Sequence, residues 1–118
     1  MRQLHVRVGG AQEDARYAED LTRELEELLL RRSPAESVER VELPARPGEK
    51  GAGMDVAQLV VGFAGALPAL VDMVRSWRRR ADGARVEIEL DGDKLVLDDA
   101  TPEQQQALVD AFLARHAD

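Results

Sequence analysis

Thirteen consecutive residues, Leu59 to Val71 (LVVGFAGALPALV), carry no polar side chain. No other stretch restricts the possible folds so strongly. A membrane-spanning helix needs about 20 apolar residues, and a run of about 10–14 is more often a buried helix. Gln58 and Asp72 bound the run. Widening the window to 54–74 brings in Asp55 and Asp72, and each acid would cost about 2.5–3.5 kcal/mol at mid-bilayer. The following RSWRRR at 75–80 places an aromatic beside positive charge, as an interfacial anchor does. The balance puts the run in a protein interior or at a protein interface, with membrane contact as the second reading.

By composition, Met54 to Arg80 reads as one long helix, with Asp55 near its positive start and Arg75, Arg78, Arg79 and Arg80 near its negative end. Such a helix would run ~40 Å against strands of ~20 Å. Gly62, Gly65 and Pro68 are placed to kink it, since Pro68 cannot donate to the carbonyl of Ala64. A bent helix or two consecutive helices is expected. A helix apolar on all sides must be covered on all sides. The cover is either the domain's own sheet or a second copy, for which Gly62, Gly65 and Ala66 would permit close backbone approach and a homodimer through the 54–80 helix.

The flanking segments have clearer periods. Gln3 to Val8 alternates, with Leu4, Val6 and Val8 on one face, and reads as a half-buried strand ended by Gly9-Gly10. From Ala11 to about Arg32 the spacing becomes helical: Ala18, Leu21, Leu25 and Leu28 share a face. Glu19 with Arg23 and Glu27 with Arg31 add i,i+4 pairs, and Ser33-Pro34 stops the helix. Ser37 to Leu43 is a weaker strand, with Val41 and Leu43 inward and Arg40 and Glu42 toward water. PARPGEKGAG at 44–53 is a loop. Arg85 to Leu90 alternates again, with Val86, Ile88 and Leu90 inward. Asp91-Gly92-Asp93 is a hairpin turn, and Leu95 and Leu97 continue the inner face. Thr101, Pro102 and Gln104 form a helix start with a capping box, ahead of an apolar face of Leu108, Ala111 and Phe112.

The expected order is therefore β-α-β-α(long, kinked)-β-β-α. Strands with one apolar and one polar face give an α+β two-layer sandwich: a small, mostly antiparallel four-stranded sheet with helices on one face. The other face would show Gln3, His5, Arg7, Arg40, Glu42, Arg85, Glu87, Glu89, Lys94 and Asp98. The 118 residues fit one domain spanning 1–118. With one Trp, one Tyr and two Phe, its core must be aliphatic.

Charge and motifs narrow the chemistry. A net charge of −7 and scarce aromatics argue against a nucleic-acid partner. The absence of cysteine removes disulfides, thiol nucleophiles and thiolate metal sites, and suits a reducing cytoplasm. MRQLHVRV lacks the apolar stretch and cleavage site of a signal peptide. GEKG at 48–51 lacks the P-loop spacing and its Ser or Thr. DGD at 91–93 has Leu95 where a calcium loop would need its third ligand. Asp98 and Asp99, adjacent on a strand, would diverge. His5 and His116 sit in no metal spacing, and no catalytic set or cofactor-binding motif can be singled out. What remains is a partner interface. Trp77 with Arg75, Arg78, Arg79 and Arg80 is one candidate, since Trp and Arg are enriched at binding hot spots. The alternative is a Trp packed under the domain with arginines neutralising a helix end. Gly62, Gly65 and Ala66 are the second candidate.

DARYAEDLTRELEELLL, then PGEKGAGMD, a Gly/Ala/Leu-rich helix, RSWRRR and VEIELDGDKLVL succeed one another over nearly the whole chain. In that order they resemble the effector-associated constant component 1 family, with Pro68 as a departure. The resemblance implies a small, non-enzymatic, cytoplasmic adaptor of bacterial conflict and antiviral defence systems. It would couple an effector, a caspase-like or trypsin-like peptidase, to a sensor, often with a signalling ATPase. The matching Gly51, Gly53, Trp77 and Arg78 would be structural or interfacial. The competing expectation is a membrane-acting protein whose segment 56–74 is unmasked when a partner protease cuts the 44–53 loop.

Overall fold

The computed structural model describes residues 2–10, 15–43, 56–81, 84–98 and 101–116. Its elements run β1 (Arg2–Gly10), α1 (Ala15–Arg32), β2 (Ser37–Leu43), β3 (Val56–Phe63), α2 (Leu67–Arg80), β4 (Ala84–Leu90), β5 (Asp93–Leu97) and α3 (Pro102–Arg115). The strands form one antiparallel sheet in the order β2-β3-β1-β4-β5. The α+β class is as expected, but the sheet has five strands, not four.

The fifth strand comes out of the apolar run. Residues 56–63 do not begin a helix; they form β3, between β1 and β2. The residue types account for this. VAQLVVGF is rich in β-branched residues, which favour strands, and its alternation sends Leu59, Val61 and Phe63 into the core, each 1% exposed or less. A short apolar run fits strand and helix equally well by period. Here the sheet had room for the strand on the free edge of β1. Residues 56–80 are therefore a strand followed by a shorter helix, not one long helix. Pro68 is not a kink: it lies in the first turn of α2, where its missing N–H costs nothing. No described helix is long and apolar enough to cross a membrane, and the apolar side chains from Leu59 to Val74 that are buried serve the core. The 44–53 loop, with Gly51 and Gly53, lies outside the described residues.

The turn between β3 and α2 is tight. Ala66 takes the N-cap position of α2 in the left-handed region, at φ 64 and ψ 29, with no side-chain cap. An L-residue with a Cβ pays for that conformation, whereas glycine does not. Ala66→Gly is expected to raise stability by about 0.5–1 kcal/mol, measurable as a higher midpoint in urea.

Two local readings hold. Leu90 pairs with Asp93, so Asp91 and Gly92 form the two-residue turn, both at positive φ (53 and 82), the type I′ geometry that suits a twisted hairpin. Thr101 and Gln104 exchange side-chain-to-backbone bonds at the start of α3, completing the capping box.

Two others invert. Arg40 pairs with Leu59 and Val41 with Gln58, so Arg40 is on the helix side of β2 and Val41 on the other. The reason is charge: α1 presents Glu19 and Glu26, and both form ion pairs with Arg40. On α3, the packed face is Gln105, Val109 and Phe112, while Leu108 is 50% exposed and Ala111 is exposed. Gln105 tolerates burial because its amide donates to the carbonyl of Asp98 at 2.6 Å.

The core lies between the sheet's inner face and the three helices. Leu21, Leu25 and Leu29 of α1, Leu70, Val71, Val74 and Trp77 of α2, and Val109 and Phe112 of α3 supply the helical layer. Trp77 is 2% exposed, and its indole N–H donates to Glu24 of α1 at 3.2 Å, tying the first two helices together.

Candidate partner-binding surfaces

The strand alternation that fills the core fixes what the opposite face carries. His5 stands opposite Glu89 on β4 and Val60 on β3, Arg7 opposite Glu87, and Lys94 opposite Glu89. The Gln58 amide donates to Nδ1 of His5 at 2.8 Å. His5, Arg7, Gln58, Glu87, Glu89 and Lys94 together line a shallow depression of about 90 Å³. None of the described helices packs on it, since all three lie on the inner face. Acid and base alternate across neighbouring strands there, flanked by half-buried Val60 beside His5 and Val96 beside Glu87. A surface of this kind recognises a partner by charge pattern, which governs specificity and encounter rate more than raw affinity.

The expected Trp–Arg surface is not assembled. Trp77 is inside the core, the packing alternative rather than an exposed hot spot. The arginines radiate from it. Arg75 donates to Gln106 of α3 at 2.7 Å, Arg78 to the carbonyl of Ala84 at 2.9 Å, and Arg79 to Ser76 at 3.1 Å; Arg80 is exposed. Among the small residues, Gly62 is buried mid-sheet opposite Gln3 and Ser37. Gly65 and Ala66 are exposed in the β3–α2 turn.

That turn forms one wall of a cleft of about 240 Å³, lined by Arg2, Phe63, Gly65, Ala66, Leu67, Pro68, Leu113 and His116. Sequence alone does not join Arg2 to His116, because only the fold brings positions 2 and 116 together. Arg2 donates to the backbone carbonyl of His116 at 3.2 Å, reaches Asp91 at 3.6 Å and lies 5.6 Å from the centre of the Phe63 ring. The His116 ring packs tilted against Phe112, with centroids 4.7 Å apart, and bonds Asp93 at 2.8 Å.

Asp93 fastens the end of α3 to the hairpin. Arg115 donates to both its oxygens, at 2.7 and 3.2 Å. The Arg115 bond and then the His116 bond hold its carboxyl below the usual carboxylate range. A carboxyl depressed in the folded state stabilises above its unfolded pKa of about 3.9, and that contribution is lost as pH falls through the folded value. Asp93→Asn is expected to flatten the stability-against-pH curve below about pH 4, as read from urea midpoints at successive pH values.

Among the described residues, no three His, Asp or Glu side chains cluster as metal ligands. No curated protein and no solved structure matches the chain. The family match is extensive, covering residues 10–114 from the end of β1 to the last turn of α3. The chain belongs to the Effector Associated Constant Component 1 family.

Proposed function

We propose that the protein is a single-domain, non-enzymatic adaptor that couples an effector to a sensor in a bacterial conflict system directed against viruses. The effector class expected from the family is a caspase-like or trypsin-like peptidase, with a signalling ATPase as a further partner, all in the cytoplasm. Family membership supports the effector association. The observation that carries the adaptor reading is the alternating acid–base face of β1, β3, β4 and β5 around His5, Arg7, Glu87, Glu89 and Lys94. The arginine end of α2, through Arg75, Arg79 and Arg80, is the secondary contact.

The test is co-purification with the peptidase or ATPase encoded beside the gene. The wild type retains a partner, and the double substitution Arg7→Gln with Lys94→Gln lowers retention about ten-fold or more while it costs about 1 kcal/mol or less of stability through the lost pairs with Glu87 and Glu89. A wild type that retains neither protein sinks the adaptor reading. A double variant that retains its partner undiminished removes the sheet face from it.

A further inference from the structure

The outer face of the sheet carries its charges in a pattern that the strand register fixes. One row of side chains runs Val60, His5, Glu89, Lys94, and the next runs Arg7, Glu87, Val96. His5, Arg7, Glu87 and Glu89 are half-buried and Lys94 is exposed, and all five border the same depression. Among the described residues, neither Arg7 nor Glu89 closes an ion pair. Glu87 meets Arg85 at 3.6 Å, with the arginine 57% exposed, and such a pair holds weakly. Gln58 donates to Nδ1 of His5, so the ring's other nitrogen, Nε2, carries a proton and is left as a donor.

We propose that this face stacks on the same face of a second copy, about a two-fold axis that runs parallel to the strands between β1 and β4. Such an axis sets β1 of one copy over β4 of the other. Arg7 then meets Glu87 of the second copy and His5 meets its Glu89, and symmetry makes each contact twice. Lys94 meets Val60 of the second copy, where its stem covers the valine and its ammonium reaches water. No like charges meet. Other axes bring them together: one along β4 sets Glu87 on Glu87, and one across the strands, midway between the rows, sets Glu87 on Glu89. Stacked sheets lie about 10 Å apart, a gap that an arginine and a glutamate close from opposite sides. The overlapping face is polar and only four strands, or ~20 Å, wide, so the dimer belongs with weak, reversible associations. That it masks the surface offered to an effector rests on the adaptor reading; the dimer itself does not.

The test is sedimentation equilibrium of the full chain at concentrations up to about 1 mM, where even a weak complex forms. The wild type should dimerise. Arg7→Glu leaves acid against acid and Glu87→Arg leaves base against base, so each should weaken the dimer about 100-fold or more. Mixed in equal amounts, the two variants should form a heterodimer, because each supplies the charges that the other lacks. Circular dichroism checks that both are folded. If either is not, Arg7→Gln with Glu87→Gln takes its place and should weaken the wild-type dimer about ten-fold. A wild type that stays monomeric, reversals that dimerise as it does, or a mixture that stays monomeric overturns the proposal. So does a neutral variant of undiminished affinity. None of these samples contains an effector, so a failed dimer leaves the retention result standing, and failed retention leaves the dimer standing.

Discussion

Val61→Asp is expected to abolish the folded state, whereas Val60→Lys, one residue away, is expected to cost about 1 kcal/mol or less. Val61 is fully buried, with Leu4 on one side and Val38 on the other. A carboxylate there loses its hydration and meets no partner. The penalty for an uncompensated buried charge is several kcal/mol, against a total stability of roughly 5–15 kcal/mol. Val60 lies on the opposite face between His5 and Glu39, and a lysine there can reach water. Circular dichroism and urea titration of the two variants measure the contrast. Similar losses in both would contradict β3 and its register.

The second large effect is at Trp77. Removing a buried aromatic side chain costs about 3–5 kcal/mol, so Trp77→Ala should remove most of a typical domain's stability. Trp77→Phe keeps much of the apolar volume and loses the bond to Glu24, a net change of about 1 kcal/mol from that bond together with a smaller packing loss. The ordering of urea midpoints should be wild type, then Phe, then Ala. Arg79→Ala and Arg80→Ala, both exposed, should stay within about 0.5 kcal/mol. A Trp77→Ala variant as stable as these would mean that the indole serves binding rather than packing.

The parts legible in the sequence are those decided by neighbours along the chain. β1, the Asp91-Gly92 turn and the Thr101–Gln104 cap each follow from a few adjacent residues whose geometry has one good solution. The apolar run had two. Its charge-free composition suits a buried strand and a buried helix alike, and the choice was made by the unfilled side of β1, which no local pattern reveals. Arg40 was misplaced for a related reason: alternation assigns a charged residue to water unless an opposite charge awaits it, and Glu19 and Glu26 are supplied by another element. On α3, Leu108 and Gln105 exchanged the places that polarity alone would give them, because the Asp98 carbonyl offers the glutamine a partner. At the surfaces, His5, Arg7, Glu87, Glu89 and Lys94 were foreseen as one polar face, since hairpin and strand parity fix them. The cleft was not, because its rim joins the two ends of the sequence.

The sheet order has a consequence for how the molecule is made. β1 is synthesised first and lies at the centre, between β3 and β4, so the earliest strand waits for both of its neighbours. At about 5–20 residues per second on the ribosome, β4 emerges several seconds after β1, and until then the edge of β1 that β4 will pair lacks its strand partner. A fragment ending at residue 80 lacks β4 and so leaves one edge of the middle strand without its partner; it should yield aggregate rather than a smaller folded unit.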